Sequence, residues 1–395
     1  MTAVAHDVIV VGAGPTGLLV AGELSRRGVD VALWESRPEA GAGSRAIGIH
    51  APVLAALEES GTTDRLLATA ARVTTGLARS AGRRLGEVHF DRLRTRFPFV
   101  ATVPQAHTEQ ALAAAAPAIG RGVTARRVCD RGAYVEVEAD RDGAPVTATA
   151  RLVVLATGAG GRAFAPPALA VHTHSYRDRY LMADVDDPTG ELVDTAVITL
   201  DAAGVVESFP LPGGRRRLVA WVSRDVPHDD GAGDAARLQE AVASRTGQQR
   251  LAEQVGSAGV SSFGIRRSLA PRMRAGRVFA VGDVVHEVSP IGGQGMNLGL
   301  LDAVTLAPLL AAWLSRDEPV AALARWERDR VASARIAGRL AGINTAAGRP
   351  RGALAQTLAM TALAVALSAP LSGVPTRAYA MGLDRHARFS RPTTP

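Results

Sequence analysis

A chain of 395 residues with 47% apolar side chains is long enough for one large core or two to three lobes, which excludes a disordered or fibrous class. The net charge of +7 comes from 45 basic residues, all arginine and scattered, and aromatics make up 4%, so binding of nucleic acid is not expected. Cys129 is the single cysteine, which rules out an intramolecular disulfide and any Cys-x-x-Cys site. The first residues run into an apolar strand without a basic n-region, so a cytoplasmic protein is expected.

The first element is a buried parallel strand, Val8 to Val11, followed by Gly12, Gly14 and Gly17 at G-x-G-x-x-G spacing. The turn Gly12-Ala13-Gly14-Pro15-Thr16-Gly17 opens a helix running to about Arg27. The first glycine permits the tight turn, the second lets backbone approach a pyrophosphate, and the third allows close helix–strand packing. A second strand, Asp30 to Trp34, ends at Glu35, the acid expected on a ribose hydroxyl, with Ser36 and Arg37 beside it. Strand, glycines, helix, strand and acid in that order specify a dinucleotide site.

A glycine-rich loop, Ala40 to Gly43, leads to Arg45 and His50, then to helices predicted at 51–60 and 63–70. Residues 73–103 read as two or three strands around Ala81-Gly82. Gln105 precedes a helix predicted over 107–116. Turns at Arg131-Gly132 and Asp142-Gly143 predict an antiparallel meander between Val123 and Leu155, ending in Thr157-Gly158. Strands near 179–186, 195–200, 204–210 and 217–223, with a helix over 234–246, then suggest an inserted sheet domain. The first fold resumes at the strand leading to Gly282-Asp283, with helices at 296–314 and 319–342. The apolar segment 353–371 is read as a helix packed on the dinucleotide domain, with weak membrane or lipid association as the alternative. The architecture is thus α/β, a dinucleotide fold with parallel sheet and meander plus an inserted β-rich domain and C-terminal helices. Its pieces are 1–75, 101–165 and 276–345 for the dinucleotide domain, 76–100 and 166–275 for the inserted domain, and 346–395 for the apolar tail.

Three motifs converge: the glycine turn with Glu35; Arg45 with Gln105; and Gly282-Asp283-Val-Val-His286-Glu-Val-Ser-Pro290-Ile-Gly-Gly293-Gln-Gly295-Met-Asn297. Together they resemble the class A flavoprotein monooxygenases, the p-hydroxybenzoate hydroxylase family, from residue 7 to about 340. The resemblance implies non-covalent FAD, with NADPH or NADH as reductant and O2 as co-substrate. It places Arg45, Gln105, Val128, Thr157, Gly158 and Asp283 on the cofactor. Pro290, Gly292, Gly293, Gln294, Gly295, Met296 and Asn297 then run beside the flavin ring, where a helix N-terminus would stabilise the anionic reduced flavin. Where the family usually has Asp-Gly, this chain has Thr157-Gly158, so direct reduction by NAD(P)H is expected to be weakened. His286 is read as a structural hydrogen-bonding group. No metal-ligand spacing is present, and no protein acid or base is assigned.

The implied chemistry is hydroxylation of an electron-rich phenol through a flavin C4a-hydroperoxide. The stretch Val206-Glu-Ser-Phe-Pro-Leu-Pro212 is similar to hydroxylases of polyketide-derived phenols, and an alkyl-tailed small molecule would suit the apolar tail. Phe209, Pro210, Leu211 and Trp221 are the candidate substrate residues. Two alternatives stay open: a flavin-dependent reductase of isoprenoid or lipid double bonds, and a non-redox FAD-containing ligand-binding protein or cyclase.

Overall fold

The strand His6–Val11 occupies the centre of the first of two eight-stranded sheets in the computed structural model, which describes residues 4–39, 41, 46–223, 232–368 and 373–385. Its parallel neighbours are Ala144–Leu155 and Val31–Glu35, flanked by Val278–Ala280 and Ile119–Arg121. Val8, Ile9 and Val10 are fully buried in a core shared with Leu18 and Leu24 of the following helix and with Val123, Val135 and Val137 of the meander, which explains the unbroken apolar run. The meander Val123–Asp130, Val135–Arg141 and Ala144–Leu155 extends the sheet antiparallel, with a bulge at Glu138/Ala139.

The helix Pro15–Ser25 packs on Gly295–Ser315 and on Gln105–Ala113. A Cβ at Gly17 would stand 1.8 Å from the Gly12 carbonyl oxygen, so only glycine allows this helix to sit on its strand. Gly295–Ser315 is long and apolar enough to cross a membrane, the one such helix among the described residues; 56% of its most apolar window is buried, as a core helix.

The second sheet runs His286–Glu287, Ser261–Leu269, His172–Asp186, Arg215–Val222, Gly204–Leu211, Thr195–Asp201, Thr75–Ser80 and Arg83–His89. Leu181, Val206 and Leu218 on its outer face meet Leu238, Ala241 and Val242 of the helix Ala232–Thr246. Its inner face turns toward the first sheet. A small sheet of Gly48–Ile49, Val100–Thr102 and Ala71–Val73 links the two.

Two expectations change. The helices foreseen at 51–60 and 63–70 are Ala51–Ala56 and Thr62–Leu67, separated by a turn that needs Gly61 at φ +67. The apolar tail helix, Ala353–Leu367, packs on the inserted sheet rather than on the dinucleotide domain. Met360 joins Tyr180, Val219 and Phe263, and Leu367 joins Val88 and Phe90. Only one stripe of this helix is buried. Leu354, Leu358 and Val365, on the side turned away from these contacts, are 77%, 65% and 56% exposed.

Candidate active site

The two sheets enclose a cavity of about 1330 Å³. One half is built by the first sheet's strand ends and turns: Gly12, Gly14, Pro15, Thr16, Glu35, Ser36, Arg37, Gln105, Thr157, Gly158 and Asp283 all line it. Gly12 needs its φ of +104, and an added Cβ there would meet the Ala156 carbonyl at 2.5 Å. Gly14 differs: a Cβ there would meet nothing within 4 Å, so its side-chain space is part of the cavity. Pro15 starts the helix, no side chain caps its N-terminus, and the first N–H groups face that space. Ala13 does not line the cavity; its N–H donates to Glu35 at 2.9 Å. Burial opposes the charge of Glu35, yet the Arg37 side chain and the N–H groups of Arg37 and Ala13 hold its carboxyl below the usual range.

Thr157 presents a buried hydroxyl with no hydrogen-bond partner among the described residues, beside the open space at Gly158 and Gly160. Arg162 ties this turn to the next motif, donating to the Asp283 and Val284 carbonyls and to Glu287. An orphaned hydroxyl, an uncapped helix N-terminus and a glycine cradle that a Cβ would fill are the groups that a dinucleotide's phosphates and hydroxyls satisfy. FAD therefore fits this half of the cavity on its own chemistry.

Pro290, Ile291, Gly292, Gly293, Gly295 and Met296 form the wall between the halves. Asn297 is fully buried and does not line the cavity. It locks this loop instead, accepting from the His50 N–H at 2.9 Å and donating to the carbonyls of Gly48 and Gly293. Gln294 is likewise turned away, donating to the Ala378 carbonyl. His50 lines the cavity under Gly293, and burial pushes its imidazole down to about 4, so it is neutral.

The second half is the inner face of the inserted sheet. Val205, Glu207 and Phe209 alternate inward from Gly204–Leu211, and Met182, Val219, Ile198 and Phe263 join them. Ile343, Asn344, Leu363, Leu367 and Tyr379 close it from the C-terminal helices.

Several sequence-derived positions need correction. Val128 packs into the core of the first sheet, and Val123, Thr124 and Ala125 reach the cavity in its place. The pairing register sets this, since Val128 lies opposite Val137 beyond the bulge. Of the four substrate candidates only Phe209 lines the cavity. The Pro210 carbonyl accepts from Thr102, Leu211 is core, and Trp221 donates to Asp178 at 2.9 Å beyond the cavity's edge. Arg45 lies outside the described residues. Gly17 makes the close helix–strand contact expected of the third glycine. Glu207, Asn344 and Tyr379 were not singled out from the sequence; an acid alternating with Val205 and Phe209 on an apolar strand was the available signal for the first.

The description "FAD binding domain" matches residues 5–340. Rifampicin monooxygenase of Streptomyces venezuelae is 33% identical over 82% of this chain and 68% of its own length. The chain belongs to the FAD-dependent aromatic monooxygenase family. The first curated relatives are longer, and the chain spans 55% to 68% of their length. Among solved structures, p-nitrophenol 4-monooxygenase PnpA from Pseudomonas putida superposes with a TM-score of 0.86 at 22% identity, covering 96% of this chain and 98% of that one. CabE, an aromatic hydroxylase from angucycline biosynthesis, gives 0.74 at 29% identity over 96% of this chain and 76% of its own. The family assignment makes FAD the cofactor of this chain.

Proposed function

We propose that this chain is an FAD-dependent monooxygenase that hydroxylates an electron-rich, phenolic, polyketide-type small molecule, using NAD(P)H and O2. The observation that carries this reading is the continuity of the cavity, whose glycine-lined cofactor half opens directly onto an apolar sheet face. We assign cofactor binding to 1–75, 101–165 and 276–345, and substrate binding to 76–100 and 166–275. The relatives reported above are monooxygenases, which favours oxygenation over reduction of a double bond or non-redox ligand binding.

When bound, FAD supplies O2 activation and electrophilic oxygen transfer. The residues do the rest. Glu35 and the N-terminus of Pro15–Ser25 would hold the nucleotide end, and the loop Pro290–Met296, braced by Asn297, would offer backbone along the ring. Met182, Val219, Ile198 and Phe209 exclude water and seat an aromatic ring. Tyr379 closes the far side with its hydroxyl donated to Asn344 at 2.8 Å. The exposed row Leu354, Leu358 and Val365 supports weak lipid contact by a cytoplasmic enzyme whose substrate carries an alkyl tail. Titrating the purified protein with 5-pentylresorcinol, 1-naphthol and anhydrotetracycline while following NADPH and NADH oxidation tests the reading. At least one phenol should stimulate oxidation and yield a hydroxylated product; stimulation by none would refute it.

A further inference from the structure

One row of side chains crosses the inner face of the inserted sheet in register: Met182, Val219, Glu207, Ile198 and Ala78, all lining the cavity. Four are apolar. Glu207 is 5% exposed, with Val205 and Phe209 as its neighbours along the strand. Among the described residues, none forms a hydrogen bond or ion pair with it. The surrounding charges are spoken for. Arg217, one row away, is held by both oxygens of Asp184 at 2.6 and 2.7 Å. Arg349 is held by Asp178 at 2.6 Å, and Tyr379 is donated to Asn344. Tyr180 lies one row to the other side, its buried hydroxyl without a partner. A carboxyl kept in an apolar floor with no cation is costly as architecture, and its natural use is toward a ligand.

We propose that Glu207 is the proton acceptor for the aromatic hydroxyl of the substrate, whose ring lies on the apolar row with that hydroxyl toward the carboxyl. This rests on the monooxygenase reading. The phenolic O–H bond breaks, its proton passes to a Glu207 oxygen, and the electron pair stays on the substrate oxygen and delocalises into the ring. An ortho or para carbon then forms the new C–O bond with the oxygen atom derived from O2. NADPH supplies the two electrons, and the second oxygen atom leaves as water. The ring proton is lost as aromaticity returns, and Glu207 hands its proton back to the product. Burial pushes the Glu207 carboxyl up to about 8, and the phenols of Tyr180 and Tyr379 are raised by the same burial and by its charge. A base near 8 is far better matched to a phenol of pKa ~10 than an ordinary carboxylate.

The test compares 1-naphthol, an ordinary phenol, with p-nitrophenol, an acid strong enough to ionise without help. Wild-type kcat/KM for 1-naphthol should rise with pH along a limb near 8, and that limb should be absent for p-nitrophenol. Glu207→Gln keeps the shape but accepts no proton. It should lower kcat for 1-naphthol by about 10²-fold and for p-nitrophenol by less than ~5-fold, with FAD content unchanged. Equal losses for both phenols, or an unchanged pH profile in the variant, would make Glu207 a wall residue and overturn the assignment. Should the variant fail to fold, the two wild-type profiles decide it, and the same limb for both phenols counts against. Failure of the wild type to oxygenate any of 1-naphthol, p-nitrophenol, 5-pentylresorcinol and anhydrotetracycline would overturn the monooxygenase reading itself, and this assignment with it.

Discussion

Asp302 holds His286 at 2.5 Å through Oδ2 while Arg330 Nε donates to Oδ1 at 2.6 Å, all three essentially removed from solvent. Burial opposes every one of these charges, yet mutual attraction wins: Asp302 stays below the carboxylate range and His286 is raised. The same Oδ2 accepts the Gly282 N–H at 3.0 Å, which fixes the turn that presents Asp283 to the cavity. Arg330 also reaches Asp384 at 2.9 Å, tying the C-terminal segment to this core. Arg330→Met would remove the guanidinium that the buried carboxylates of Asp302 and Asp384 share. It should cost about 3–5 kcal/mol in urea unfolding. A loss below ~1 kcal/mol would show that the network is not a structural anchor.

Gly14 and Gly17 should fail in different ways. Gly14 has ordinary backbone angles and open space at its Cβ, so Gly14→Val should fold with an unchanged apoprotein melting temperature. Its side chain would occupy the cofactor half, and the purified protein should be colourless. Gly17→Ala collides with the Gly12 carbonyl and should reduce soluble yield and melting temperature even without cofactor. A yellow Gly14→Val protein would remove FAD from that space.

Thr157 bears on the reductive half-reaction. Thr157→Asp restores the carboxylate usual in the family and should speed reduction of the bound flavin by NADPH in stopped flow, leaving the oxygen reaction of dithionite-reduced enzyme unchanged. The new carboxylate enters a site where the Thr157 hydroxyl already lacks a partner, so the melting temperature should fall. Equal reduction rates in both proteins would show that the threonine is no handicap.

Glu207 also sets a pH dependence of stability. Its folded pKa, about 8, lies above the ordinary 4.5, so the folded state binds the proton more tightly. The stability it contributes is complete below about 4.5 and is lost as pH rises through about 8. Melting temperature should therefore decline between those limits in the wild type, and the decline should be shallower in Glu207→Gln. Parallel curves would place the titrating group elsewhere.

The cofactor half was legible in the sequence because it depends on local constraints. Gly12, Gly14 and Gly17 act within one turn, and Pro290 to Gly295 is a loop whose lack of bulk can be read directly. The substrate half depends on pairing between distant strands. Trp221 shares a face with Val219 and Arg217, yet its indole N–H is turned to Asp178, outside the cavity. Val128 missed because a bulge decides which meander residues reach the rim. Glu207 gains its meaning only when Ile198 and Val219 are paired on either side of it. The tail helix was placed on the wrong sheet because an apolar run does not name the surface that receives it.

The most direct test of the central claim is oxygen-18 incorporation. Holoenzyme supplied with NADPH, labelled O2 and a panel of 1-naphthol, 5-pentylresorcinol, anhydrotetracycline and p-nitrophenol is analysed by mass spectrometry. The monooxygenase account predicts a hydroxylated product carrying one labelled oxygen, formed in step with NADPH oxidation. Conversion of a phenol without label, or NADPH oxidation with no labelled product from any member of the panel, would contradict it.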